Sequence, residues 1–287
     1  MDNHLISIVI PAFNEAKTIK DVVLGLQEVI NKNKISAEII VVNDGSTDST
    51  QKIVSKIDNV RVISHPYNKG YGASLKTGAK NAKGEFLLYI DADGQHIPDE
   101  ILRLIKYADD YDMVIGQRTK TTSILRAPAK KILSLFANYL AEWKIPDLNS
   151  GFRLIKKELV LKYLYLLPDT FSFTTTITLA SIKGGHNLKY VPIKIRKRAG
   201  GSSTIHPLKD TIRFVMLLFR ITMLFSPLRV FLPFSFVLFF IGFGLLFYEV
   251  IKFFNVGTLS IMLILSSLLV FCFGLLADLI SSLNRNA

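Results

Sequence analysis

Cysteine and tryptophan are almost missing from these 287 residues, with Cys272 the one thiol and Trp143 the one indole. A single thiol excludes a disulfide within the chain and suits a reducing compartment. His65, His186 and His206 show no spacing that suggests a metal site. The start also lacks the pattern of a signal peptide, since Met1 to His4 is short and polar and the apolar stretch after it breaks at Pro11. Acid is scarce where base is dense: from Lys183 to Arg229 there are ten Lys or Arg against Asp210 alone, within a net charge of +12. Aromatic positions interleaved with those basic residues, as base stacking requires, are missing, so no nucleic-acid partner is expected. The expected partners are anionic lipid headgroups and a phosphate carried at a membrane surface.

A membrane is indicated by what is abundant. Hydrophobic residues make up 49% of the chain and mean hydropathy is +0.34, too apolar for a purely soluble protein. The excess is concentrated in Val230 to Tyr248 and Val256 to Ala277, runs of 19 and 22 residues without a charge. At about 1.5 Å per residue each spans the roughly 30 Å hydrocarbon core. Only Glu249 to Asn255 separates them, which predicts a transmembrane hairpin; a buried pair of core helices is the competing reading. Arg213, Arg220 and Arg229 precede the hairpin and Arg285 follows it, while its turn carries only Lys252. Both termini are therefore expected on the cytoplasmic side.

The first part alternates short apolar runs with amphipathic stretches. Leu5–Ile10, Glu38–Val42, Val60–Ser64, Glu85–Ile90 and Met113–Gly116 read as strands. Helices fit from Asn14 or Glu15 to Ile30 and over Thr47–Ile57, Gly72–Ala82 and Pro98–Ala108. This order predicts an α/β domain with a mostly parallel sheet, whose ligands bind at the carboxyl ends of the strands. Further helices are expected over Ala129–Trp143, Lys157–Leu167 and Phe173–Ile182, and strands over Phe152–Ile155 and Leu188–Ile195. Residues 1–205 are expected to form the catalytic domain, 206–229 amphipathic helices along the membrane, and 230–280 the hairpin.

The chemistry lies in the loops after the strands. Pro11-Ala12-Phe13-Asn14-Glu15 follows the first strand and Asn43-Asp44-Gly45-Ser46-Thr47-Asp48 the second. Each alone also reads as turn and helix-cap punctuation. Together they set Glu15 and Asp44 on adjacent strand ends, where they can accept hydrogen bonds from a ribose or a base. The fourth strand ends in Asp91-Ala92-Asp93-Gly94-Gln95-His96. Two carboxylates one residue apart on an extended chain project to the same side, a donor pair that Mg²⁺ or Mn²⁺ prefers when a diphosphate completes the shell. Asp110 and Asp112 share that spacing but fall in a connection before a strand. His96 is either a neighbour of the metal or merely the residue that leads into the helix at Pro98.

At these residues the chain resembles family 2 glycosyltransferases, specifically the polyprenyl-phosphate mannose and glucose synthases. The matching segments, in order, are Pro11–Glu15, Val42–Asp48, Asn68–Ala73, Asp91–Gln95, Asp147–Arg153 and Arg198–Ser203. The resemblance implies a GT-A, Rossmann-like fold that binds a UDP- or GDP-hexose. Pro11, Phe13, Glu15, Asp44, Lys69, Asp91 and Ala92 would surround the nucleotide, and Asp91, Asp93 and Gln95 the Mg²⁺ or Mn²⁺. Arg118, Arg126, Arg153, Arg198, Ser202 and Ser203 would meet the acceptor phosphate, with Asp93, Asp147, Arg118 and Arg198 as the catalytic set. Arginine suits phosphate because its planar fork offers several donors, although a surface arginine also serves solubility. Thr204 stands where the family often carries lysine, which weakens the expected grip of that loop.

Phe171 to Thr176, where related transferases place acidic residues, contains none. A sugar hydroxyl needs a carboxylate base, whereas a lipid phosphate is already anionic. The expected reaction is therefore inverting, in-line transfer of a hexose to polyprenyl phosphate at the cytoplasmic face. Asp147 would act as a base or, preferably, orient Arg153 and the sugar. Competing readings are a transferase acting on a glycolipid hydroxyl, a processive polysaccharide synthase and a catalytically silent membrane adaptor. The synthase is disfavoured by the missing Gln-x-x-Arg-Trp element and by having only two spans. The surface helices and hairpin offer faces for self-association into a homo-oligomer.

Overall fold

A computed structural model of the protein describes residues 4–118, 146–147, 150–170, 172–196, 216, 219, 222–223 and 225–286. The expected helix over residues 129–143 and most of the surface segment 206–229 lie outside them, as do Arg126, Arg198, Ser202 and Ser203. The described chain divides into two compact units, one holding the sheet and one the two long C-terminal helices.

The sheet unit runs β1 (Ile6–Ala12), α1 (Ile19–Asn33), β2 (Ala37–Asn43), α2 (Thr50–Val54), β3 (Val60–Ser64), α3 (Tyr71–Asn81), β4 (Phe86–Tyr89), a 3-10 turn with α4 (Ile101–Ile105), and β5 (Met113–Arg118). It continues with β6 (Arg153–Lys156), α5 (Lys157–Lys162), α6 (Phe173–Lys183) and β7 (Leu188–Ile193). The strand order is β3-β2-β1-β4-β6-β5-β7. All pairs are parallel except the two that β6 makes, so β6 is an antiparallel insert between β4 and β5. β1 is buried along its whole length, as a central strand covered on both faces must be. Ile8, Ile10, Val23, Leu26, Leu88 and Leu154 belong to one apolar core beneath the helices.

Register determines where the loops emerge. Ala12 pairs with Asn43 and Asn43 with Ser64, so the loops that begin at Phe13, Asp44 and His65 leave the sheet at one level. Tyr89 lies between Val9 on one side and Arg153 on the other, which brings Asp91 and Gly151 to the same edge. The first helix begins at Ile19 rather than at Asn14 or Glu15, because Asn14 adopts a left-handed backbone with φ of 57°. That conformation turns its side chain across to the next loop, where Asn14 Oδ1 accepts from the Thr47 and Asp48 amides. Asp48 Oδ2 in return accepts from the Ala16 amide. The two loops are thus interlocked, which also shortens α2 to Thr50–Val54.

In the second unit α7 (Leu228–Phe253) and α8 (Thr258–Asn286) are each long and apolar enough to cross a membrane, with mean hydropathies of 2.5 and 2.6. Gly242 admits Leu263 and Ile264 of α8, and Gly274 admits Phe231 of α7. Most large side chains of this pair, Phe236, Phe240, Phe243 and Leu279 among them, face outward, as lipid-facing helices require. The turn is closed by Glu249, whose Oε2 accepts from the Gly257 amide at 2.9 Å and from Ser260 Oγ at 2.7 Å. It therefore caps the start of α8 from the end of α7.

Two predictions follow from these contacts. Glu249→Ala leaves the Gly257 amide without its acceptor, so hydrogen exchange in a lipid nanodisc speeds up at residues 257–260 while the sheet unit is unchanged. In the sheet unit His4 bridges Glu85 and Asp109. The Glu85 hydrogen bond, opposed by burial and aided by Asp109, raises its pKa above the ordinary imidazole value. A raised folded-state pKa gives stability that is complete below the unfolded value, about 6.5, and is lost as pH rises through the folded value. Thermal melts of the wild type and His4→Ala should therefore differ more near about pH 6 than near about pH 9.

Candidate functional site

The carboxyl edge of the sheet collects the residues singled out from the sequence. Ala92 is buried, while Asp91 and Asp93 on either side of it stay partly open, in a turn that follows the end of β4 at Tyr89. The Gln95 amide donates to Asp93 Oδ1 at 3.1 Å, a turn that Gly94 permits with φ of 73°. Asp91 is supported from three directions. Tyr71 donates its hydroxyl to Oδ1 at 2.9 Å, and His96 Nε2 lies 3.7 Å from Oδ2. Behind it a Cβ on Gly151 would come within 2.9 Å of Oδ2 and 3.0 Å of Oδ1, so only glycine lets the carboxylate rest there. Burial pushes the Asp91 carboxyl upward, but His96, Tyr71 and Arg118 together outweigh it and hold the pKa below the usual carboxylate range. Tyr71 is driven the other way, first by burial and then by the charge on Asp91, and remains a neutral donor.

Among the described residues no group of three or more His, Cys, Asp or Glu side chains is arranged to hold a metal. Asp91 and Asp93, both partly exposed at this edge, are too few for a closed protein cage. Mg²⁺ and Mn²⁺ are held by such pairs when substrate phosphates and water complete the shell, so Asp91, Asp93 and Gln95 fit a divalent ion of this type.

His96 is more than a residue leading into a helix. It is 8% exposed, its ring stacks on Phe152 at 4.8 Å, and its Nδ1 has no hydrogen-bond partner among the described residues. The backbone on either side of it is tied to the end of the sheet, through a bridge between His96 and Ile195 and a 2.7 Å bond from the Arg196 amide to Gln95 O.

The nucleotide candidates divide by exposure. Phe13 and Lys69 are exposed, and Glu15 is partly so, with its Oε2 accepting from Thr18. Pro11 is buried within β1, which leaves it only a framing role. Asp44 departs from expectation. Its side chain is 4% exposed, and its oxygens accept from His65 and from the Lys69 and Gly70 amides. The carboxylate serves its own loops and does not stand open to a ribose.

Arg118 and Asp147 form a two-pronged pair, Nε to Oδ2 at 2.9 Å and Nη2 to Oδ1 at 3.0 Å. This hydrogen bond raises the arginine pKa further, against a smaller effect of burial. Asp147 therefore orients Arg118, which corrects the expectation that it orients Arg153. Arg153 is likewise displaced from the acceptor set. It is 0% exposed, and its guanidinium donates to Ser150 O, Thr174 O and Thr178 Oγ1. Burial lowers its pKa. A cation sealed among carbonyls braces the Ser150–Gly151 turn and cannot reach a ligand. Tyr71 and Gly151 went unassigned within their motifs because their contacts with Asp91 cross 20 and 60 residues of sequence, beyond any local spacing rule.

Comparison with known proteins adds the following. Residues 7–164 match the model of Glycosyl transferase family 2, and residues 226–283 match the GtrB C-terminal hairpin. An uncharacterized protein of Methanocaldococcus jannaschii is 34% identical over 201 residues, covering 66% of this chain and 80% of that one. A UDP-N-acetylglucosamine–dolichyl-phosphate N-acetylglucosaminyltransferase of Methanococcus voltae is 32% identical over 223 residues, covering 68% and 86%. A dolichyl-phosphate beta-glucosyltransferase of Trichomonas vaginalis is 32% identical over 176 residues, 53% of each chain. Among solved structures, glucosyl-3-phosphoglycerate synthase from Mycobacterium tuberculosis in complex with Mn²⁺, uridine diphosphate and glucosyl-3-phosphoglycerate gives a TM-score of 0.60 at 20% identity. That match covers 76% of this chain and 80% of that one, and at such identity it speaks to the fold alone.

The backing of Asp91 by Gly151 is directly testable. Gly151→Ala displaces the carboxylate or the Tyr71 hydroxyl, so Mn²⁺ affinity read by electron paramagnetic resonance falls by about tenfold or more. An unchanged affinity would show that the turn does not position Asp91.

Proposed function

We propose that this chain, which belongs to glycosyl transferase family 2, transfers a hexose from a nucleoside diphosphate to the phosphate of a polyprenyl lipid. The chain is a glycosyltransferase, and relatives named for dolichyl-phosphate glycosyl transfer support a lipid-phosphate acceptor for it. The match of its last residues to the GtrB hairpin, together with two spans of suitable length, supports membrane attachment. The charge pattern around the hairpin puts the sheet unit and both termini on the cytoplasmic face in this reading.

The observation that carries the acceptor assignment is the Arg118–Asp147 pair. Asp147 is the carboxylate expected near the acceptor, and both its oxygens are engaged by one guanidinium. A carboxylate held this way is a poor proton acceptor, whereas a phosphate oxygen attacks without losing a proton. One phosphate oxygen forms the bond to the anomeric carbon as the bond to the departing diphosphate oxygen breaks, with inversion. Arg118, its fork partly committed to Asp147, is aimed by that partner and keeps Nη1 outside the pair for a phosphate oxygen. Arg126, Arg198, Ser202 and Ser203 complete the proposed acceptor contacts, and Phe13, Glu15 and Lys69 the nucleotide contacts. Asp91 and Asp93, beside Gln95, would hold a divalent ion, which when bound would supply positive charge to the leaving diphosphate.

The test is transfer of radiolabel from a panel of UDP- and GDP-hexoses into organic-extractable lipid, using purified protein, polyprenyl phosphate and Mn²⁺ or Mg²⁺. Label is expected only with the lipid phosphate and the metal, and Asp93→Ala lowers it by about 100-fold or more. Label that enters an added glycolipid but not polyprenyl phosphate would overturn the acceptor assignment and return Asp147 to the role of base.

A further inference from the structure

His65 is a buried imidazole to which the proposed reaction assigns nothing. It stands immediately after β3, is 8% exposed, and contacts two neighbours of different kind. Nδ1 lies 2.6 Å from Asp44 Oδ1, and Nε2 lies 2.9 Å from Thr77 Oγ1 on α3. A carboxylate only accepts, so Nδ1 carries a proton and donates to Asp44, while Nε2 shares a hydrogen bond with the threonine hydroxyl.

The same carboxylate holds the start of α3. Asp44 Oδ1 also accepts from the Lys69 amide and Oδ2 from the Gly70 amide, each at 2.9 Å. The next residue, Tyr71, donates to Asp91. Residues 69–71 therefore rest on Asp44 at one end and support Asp91 at the other. The Gly70 backbone, with φ of 107°, suits this turn. Carbonyl O of Asp169 occupies the Gly72 and Ala73 amides behind it, so the segment has no slack to find another arrangement.

We propose that His65 is a positioning residue for donor binding: by orienting Asp44 it fixes residues 69–71, and so sets the affinity of the site for a nucleoside diphosphate with its divalent ion. The inference rests on the transferase reading above. It assigns His65 no contact with substrate and no proton transfer.

Two isosteric halves of the ring separate this role from simple packing. Asn places its amide nitrogen near where Nδ1 stands, and Gln near where Nε2 stands. His65→Asn therefore keeps the donor to Asp44 and loses Thr77, while His65→Gln does the reverse. Calorimetric titration of the full chain with UDP and with GDP in Mn²⁺ should find His65→Asn within about threefold of wild type. His65→Gln should bind about tenfold or more weakly, the loss of one hydrogen bond to a charged group. Thermal melts of both variants accompany the titrations. Equal affinity of the two variants overturns the inference, as does a loss confined to His65→Asn. Independently of either variant, hydrogen exchange on the wild type must find the Lys69 and Gly70 amides protected without nucleotide, and exchange at the rate of an open loop overturns it too. Wild-type protein that binds neither nucleotide overturns the transferase reading itself, a result distinct from unchanged binding in His65→Gln.

Discussion

A carboxylate removed from water must collect donors, and the need of Asp44 for them organises the donor edge of this molecule. An ionised group with 4% of its side chain exposed is costly unless charge-assisted hydrogen bonds surround it. Its three donors come from the two ends of one connection, His65 just after β3 and the Lys69 and Gly70 amides just before α3. Satisfying one buried charge therefore closes both ends of that loop. The helix that begins there carries Tyr71 onto Asp91, so the carboxylate at the end of β2 and the pair at the end of β4 share one support.

The antiparallel strand β6 provides the other half of that support. In a wholly parallel sheet the neighbour of β4 would run alongside it and reach the binding edge only at its own carboxyl end. Because β6 runs against β4, its amino end arrives at the edge instead, and the turn Ser150–Gly151 lies against the Asp91 carboxylate. Arg153, the first residue of β6, is sealed beneath that turn with its donors on carbonyl oxygens. A buried cation without a paired carboxylate is expensive, and it is retained where the carbonyls it satisfies would otherwise be left open.

Strand and helix order was legible in the sequence because alternating apolar runs and turn residues report the local backbone directly. The Asp91-Ala92-Asp93 segment was legible for the same reason, as acidic residues just past the end of an apolar strand. What local pattern does not carry is the identity of partners across the sheet. Arg153 and Arg118 both lie near the motif that begins at Asp147, and composition alone cannot say which one the aspartate takes. Register settles it: Arg153 pairs with Tyr89 inside the sheet, while Arg118 ends β5 at the edge, where Asp147 can reach it. Asp44 was misread for a related reason. A polar residue after a strand looks available to a ligand until the neighbouring loop is known to fold over it, and that loop, from His65 to Gly70, is distant in the chain.

The same distinction between buried and presented charge bears on the acceptor. A site that joins a diphosphate to a second phosphate gathers several negative charges, and each arginine spent on the fold is one fewer for them. Of the acceptor candidates Arg153 and Arg118, the first is consumed by carbonyls and the second is paired but keeps 41% of its side chain exposed. Pairing Arg118 with Asp147 lowers its net charge yet fixes its fork, so the contact it offers is one of direction more than of field. In the proposed reaction the field would be supplied by the basic run between Lys183 and Arg229, which carries ten cations against one Asp in the sequence.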